Sequence, residues 1–180
     1  MSVDLLYRDS LLVRADNAGR TVYGTAVPYG QIAEIQEGGR VFRERFEYGS
    51  FARTIKLRGD KVRLFTGHQH QRLPIGRASE LTEMRDGLHV SFLVSDTTEG
   101  NEALTLVRDG VVSSFSVGIK PISERMDGDV LVRTEVALYE VSLVGMPAYE
   151  GAAIAGVRTA RQPLSVDLAR RRLELLIFDW

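Results

Sequence analysis

Short stretches in which apolar and polar residues alternate recur along this sequence, separated by glycine-rich turns, and they predict strands. Leu11-Leu12-Val13, the turn sequence Asp16-Asn17-Ala18-Gly19 and a β-branched and aromatic run from Thr21 to Val27 predict an opening hairpin, stopped by Pro28 and Gly30. A second hairpin is expected to turn at Glu37-Gly38-Gly39, with Val41, Phe42 and Phe46 on its return arm. Lys61 to Thr66 reads as a strand that runs directly into Gly67-His68-Gln69-His70. Leu73-Pro74-Ile75-Gly76 leads into a further strand, Arg77 to Leu81. Asp86-Gly87 is a strong hairpin signal, after which Leu88, Val90, Phe92 and Val94 alternate with His89, Ser91, Leu93 and Ser95.

The run from Val111 to Ile119 has the same period. Val111, Phe115, Val117 and Ile119 fall on one face and Ser114, Ser116 and Gly118 on the other, so one face is expected in the core and the other is small, polar and accessible. Gly118 would let a backbone approach closely or would mark a bulge. Asp127-Gly128 predicts another hairpin, and Val130 to Val144 one or two more strands, broken by Pro147.

Helical spacing is rarer. Ser50 is a plausible N-cap for a short helix carrying Phe51, Ile55 and Leu57, ended by Gly59-Asp60. Asp96 and Glu99 resemble a capping box for a helix that turns Ala103, Leu104 and Val107 inward and stops at Gly110. Gly151 to Pro163 is small and weakly patterned, a linker by composition, and Ser165 could cap a last helix with Leu168, Leu175 and Leu176 on its apolar side. Arg170-Arg171-Arg172 is then expected as a solvated helix face, in preference to a phosphate contact. The pattern as a whole is mainly β with helices, an α+β chain whose strands form a barrel or sandwich. Residues 1–155 are expected as one β-barrel domain, and 156–180 as a C-terminal linker and helix packed on or extending from it.

Composition narrows the function classes. The 180 residues are 44% hydrophobic and 26% charged, enough for one domain with a sizeable core. The formal net charge of -1 gives no overall attraction to nucleic acid or an anionic membrane. The absence of cysteine excludes disulfides, thiolate nucleophiles and thiolate metal sites, and fits a reducing compartment. Met1-Ser2-Val3-Asp4 lacks a charged-then-apolar signal pattern, and no apolar run approaches the roughly 20 residues of a spanning helix.

Three places could carry chemistry. Ser116, a hydroxyl among small residues on a rigid strand, is placed as a nucleophile. A serine needs a base, and His68, next to glycine at a strand's end, can reach a neighbouring strand. The second histidine, His70, leaves the choice of base open. Glu140 shares a strand face with Val136, Leu138, Ser142 and Val144, where a carboxylate is costly to bury unless paired; an imidazole partner would give it the orienting role of a serine triad. Glu135, on the opposite face, is the weaker candidate. The His-x-His pair also suggests a metal, but beyond it the chain offers only His89 as a further histidine and no carboxylate at a recognised spacing, so no metal or other cofactor is expected.

The order of these blocks adds to them. Gly67-His68 followed by Pro74-Ile75-Gly76, then Asp86-Gly87-Leu88, a helix ending in Gly110, Phe115-Ser116-Val117-Gly118, and Leu138-Tyr139-Glu140-Val141-Ser142-Leu143-Val144 with Pro147-Ala148 resemble the prohead maturation proteases of tailed bacteriophages. Phe46-Glu47-Tyr48-Gly49-Ser50-Phe51 looks like that family's Glu-x-Phe-x-x-Gly-x-Phe region, with Arg45 preceding it, and the resemblance covers roughly residues 20 to 155. The resemblance implies a serine endopeptidase of the herpesvirus assemblin type, on a β-barrel surrounded by a few helices. It implies action in the host cytoplasm inside the immature capsid, on scaffold or the scaffold-like segment of the major capsid protein, with autocleavage and a plausible homodimer. By position, Ser116 matches the nucleophile and His68 the catalytic histidine. Glu140 is the candidate third member, although herpesvirus relatives use a second histidine there, a role His89 could fill. The family usually has aspartate after the histidine, where this chain has Gln69. Two other readings stay open: an inactive capsid-assembly barrel that binds scaffold, and a metal-dependent hydrolase or binding protein using His68 and His70.

Overall fold

The computed structural model describes residues 6–11, 19–37, 39–145 and 154–158. Ten strands and two helices follow in the order β1 (Leu6–Leu11), β2 (Thr21–Pro28), β3 (Ala33–Glu37), β4 (Arg40–Phe46), α1 (Ala52–Arg58), β5 (Arg63–Thr66), β6 (Gly76–Met84), β7 (Gly87–Val94), α2 (Thr98–Arg108), β8 (Ser114–Asp127), β9 (Val130–Val144) and β10 (Ile154–Arg158). The fold is therefore mainly β with two short helices. Among the described residues no helix is long and apolar enough to cross a membrane.

All ten strands belong to one sheet, with the path β1-β8-β9-β5-β6-β7-β2-β10 and the β3–β4 hairpin attached through β4 to β9. The expected barrel is thus seen as an open ladder. β1 lies close to β2, but among the described residues no register of hydrogen-bonded pairs joins them, and that ladder is what closure would require. The apolar faces meet in one core that includes Phe46, Phe51, Phe92, Phe115, Leu64, Leu88 and Leu138. Strand alternation explains its membership: Leu88, Val90, Phe92 and Val94 are buried, as their period of two predicts.

The β3–β4, β6–β7 and β8–β9 hairpins form where the turn residues place them. The opening hairpin is not formed among the described residues, and Leu12, Val13 and residues 16–18 of its expected arm and turn lie outside them. β1 pairs with β8, and β2 pairs with β7 and β10, since turn residues in a sequence suggest a reversal but not which strands pair. The linker expected from Gly151 to Pro163 contributes residues 154–158 as β10. The last helix expected from Ser165 lies outside the described residues. Val111 is exposed and precedes the strand, which begins at Ser114.

Both helix caps differ from expectation by one residue. The N-cap of α2 is Thr97, whose hydroxyl accepts the Gly100 N–H at 3.1 Å. α1 starts after Phe51 without a side-chain cap, and Leu57 points to solvent. The segment leading into α1 is instead held by Glu83 of β6, whose Oε1 accepts the N–H groups of Gly49 at 3.1 Å and Phe51 at 3.0 Å. α1 docks on β9 through Thr54, whose hydroxyl donates to Val136 O and accepts from Leu138 N–H, both at 3.1 Å. That contact ends two residues before Glu140.

Candidate active site

Three neighbouring strands build the site: β8, β9 and β5, in that order across the sheet. β8 and β9 are antiparallel, with Ser116 opposite Ser142 and Gly118 opposite Glu140. Glu140 and Ser142 are two residues apart and share a face. β5 runs parallel to β9 on the other side, with Thr66 opposite Leu143, and the Gly67 N–H donates to Leu143 O at 3.0 Å. The register therefore brings the end of β5 alongside Ser142.

The chain then turns sharply. Gly67 and His68 both have positive φ, 53° and 57°. For a histidine that left-handed conformation is uncommon and costs on the order of 1–3 kcal/mol. The turn is held by Gln69 N–H to Thr66 O at 3.2 Å, by His70 N–H to His68 O at 2.9 Å, and by the His68 N–H, which donates to Ser142 Oγ at 3.1 Å. It directs the His68 ring over β9 and β8.

The side chains then form one line. His68 Nε2 is 2.6 Å from Ser116 Oγ, and His68 Nδ1 is 2.6 Å from Glu140 Oε1. A carboxylate can only accept, so Nδ1 carries the proton of the neutral ring and Nε2 is left to accept the serine O–H. The second carboxylate oxygen, Oε2, accepts from Ser142 Oγ at 2.8 Å. Glu140 is buried, and this pair of partners is what makes its burial tolerable. Gly118 supplies the space: a Cβ there would lie 2.5 Å from Glu140 Oε1 and 2.9 Å from its Cγ. A register shift also falls between Gly118 and Ile119, so the bulge expected at this glycine is present, but the group approaching it is the Glu140 side chain.

Ser116, His68 and Glu140 are thus brought together. His70 comes near them, with Nε2 3.9 Å from Glu140 Oε1 and its ring against Phe65, centroids 5.2 Å apart. His89 is elsewhere, 3.0 Å from Asp86 Oδ1 across its own hairpin, and holds that carboxyl below the usual range through the hydrogen bond. Glu135 pairs with Arg53 at 3.1 Å on the sheet's outer side. The serine face of β8 was expected to be accessible, yet Ser114 and Ser116 are fully buried, because the His68 ring and the neighbouring strands cover it.

One contributor to the site had no assigned role in the sequence. Ser142 was legible only as a residue on the Glu140 face; its position two residues on was the available signal. Glu140 had been read as a partner for His68, but its closeness to His70 as well was not legible, since it lies about 70 residues away and arrives through the parallel β5–β9 pairing. One ring nitrogen from each of His68 and His70 and a Glu140 oxygen lie within 4.8 Å of one another.

The sequence model of the family described as caudovirus prohead serine protease matches residues 9–165. No curated protein and no solved structure matches the chain.

Proposed function

The chain belongs to the caudovirus prohead serine protease family, and from that premise we propose that it is a serine endopeptidase with Ser116 as nucleophile, His68 as general base and Glu140 as the orienting acid. The observation that carries this reading is the unbroken line of two 2.6 Å hydrogen bonds from Ser116 through His68 to Glu140. In the first step His68 Nε2 takes the Ser116 proton as Oγ bonds to the scissile carbonyl carbon. The imidazolium so formed is stabilised by Glu140 and then gives its proton to the leaving amine. Water, deprotonated by the same ring, hydrolyses the acyl-serine ester. The substrate class is scaffold, or a scaffold-like segment of the major capsid protein, cut within the immature capsid, and the enzyme is expected to cut itself as well.

The test is cleavage of the cognate capsid or scaffold protein by the purified chain. Ser116→Ala should abolish it and Ser114→Ala should be milder. Loss of His68 should be far more damaging than loss of His70. Cleavage at the normal rate by Ser116→Ala would remove the nucleophile. A wild-type chain that binds scaffold without cutting it would favour the inactive assembly reading.

A further inference from the structure

The turn after β5 delivers two imidazoles to one carboxylate, and the triad uses only one of them. We propose that His68 Nδ1, His70 Nε2 and Glu140 Oε1 form a Zn2+ site whose occupation switches the protease off; this rests on the serine-protease reading above. Two imidazoles and a carboxylate are a donor set that suits zinc. Bonds of about 2.0–2.2 Å at tetrahedral angles place ligand atoms about 3.3–3.6 Å apart. The separations here bracket that range, 2.6 Å from Glu140 Oε1 to His68 Nδ1 and 3.9 Å to His70 Nε2, and the three residues offer one ligand atom each inside 4.8 Å. The ion can enter from solvent, because His70 is exposed on its turn while Glu140 is buried beneath it. Glu140 Oε2 stays committed to Ser142, which leaves Oε1 as a single, oriented ligand.

Inhibition follows from the tautomer. Catalysis needs the ring proton on Nδ1 and an open lone pair on Nε2. Zinc at Nδ1 takes the position of that proton, and the proton of the neutral ring moves to Nε2. His68 then donates toward Ser116 Oγ and has no lone pair with which to take its proton. The ion also neutralises Glu140 as the stabiliser of an imidazolium.

The experiment separates the site from the activity. Full-length Ser116→Ala protein is titrated with zinc chloride by calorimetry, and 15N shifts of the His68 ring are followed in the same titration. One ion should bind per chain, with the ring passing from the Nδ1–H to the Nε2–H form. Adding His70→Ala should weaken binding about tenfold or more, the loss that removal even of an outer-shell partner typically causes. His89→Ala, which removes the one histidine outside the turn, should leave binding intact. In the wild-type chain, zinc should stop cleavage and a chelator should restore it. In the His70→Ala chain, referred to its own metal-free rate, about tenfold more zinc should be needed. Absence of binding, binding undiminished by His70→Ala, or cleavage unaffected by bound zinc would each overturn the inference and leave the protease reading standing. Cleavage that a chelator abolishes and zinc restores would overturn both. A wild-type chain without proteolysis would end the protease reading, and with it the claim of inhibition.

Discussion

Gly118 stands directly opposite Glu140 across the β8–β9 ladder, and the Glu140 side chain lies in the space that a Cβ at Gly118 would occupy. The carboxylate proposed to orient His68 and the strand of the proposed nucleophile are therefore fitted to each other two residues away from Ser116. The flexible end of Glu140 would yield before the backbone does, so Gly118→Ala is expected to fold. It would push the carboxylate off His68, and a misplacement on the order of 1 Å can cost up to about a hundredfold in rate. Single-turnover cleavage with a thermal melt as control checks this. A normal rate in a folded variant would show that the carboxylate position is not critical.

Ser142 and Glu140 should separate in their effects. Glu140→Gln presents an amide that can donate to Nδ1 and favours the wrong tautomer, so cleavage should fall by about 10²–10⁴-fold with the fold retained. Ser142→Ala removes one hydrogen bond to the carboxylate and the acceptor for the His68 N–H. At about 1.5–3 kcal/mol for a hydrogen bond to a charged group, a loss of about ten- to a hundredfold is expected. Ser142→Thr, which keeps the hydroxyl, should recover part of it. If Ser142→Thr is as poor as Ser142→Ala, the hydroxyl is not the reason.

Much of this site was legible in the sequence, and the boundary is physical. Period-two alternation placed Ser116, Glu140 and Ser142 on strand faces, since face membership is a local property. Turn residues located the β6–β7 and β8–β9 hairpins for the same reason. Pairing between distant segments was not readable: β1 against β8, β5 parallel to β9, and residues 154–158 against β2 depend on the whole sheet. The adjacency of His70 and Glu140 belongs to that class. So does the hold that Glu83, on another strand, takes on the Gly49 and Phe51 N–H groups at the entry to α1, where local rules favoured a Ser50 cap.

Alkaline pH should destabilise the fold through Tyr29. Its hydroxyl donates to Glu83, and burial together with that carboxylate raises its pKa far above the ordinary value. The unfolded chain loses this proton from about pH 10 upward while the folded chain keeps it. The unfolded state then binds fewer protons, so stability present below that pH falls as pH rises. Urea midpoints from pH 8 to 11 should decline, and Tyr29→Phe should show a shallower decline. Equal slopes for both proteins would assign the alkaline loss to other groups.

The last expectation concerns access. A nucleophile must meet a carbonyl carbon, yet Ser116, the proposed nucleophile, is fully buried, and the edge of β8 at that point is occupied by β1, with Asp9 in register with Ser116. An extended substrate adding to this sheet edge would need the place β1 holds. Weakening the β1–β8 ladder should therefore speed cleavage. In a strand, successive N–H groups point to opposite sides, so the paired substitution Arg8→Pro and Asp9→Pro removes one donor facing β8 whichever register parity holds. The full-length double variant should cleave its substrate several-fold faster than wild type at subsaturating concentration. Hydrogen exchange at residues 114–119 should quicken in parallel, which reports that the ladder has loosened. Faster exchange with an unchanged or slower rate of cleavage would mean that substrate reaches Ser116 without displacing β1.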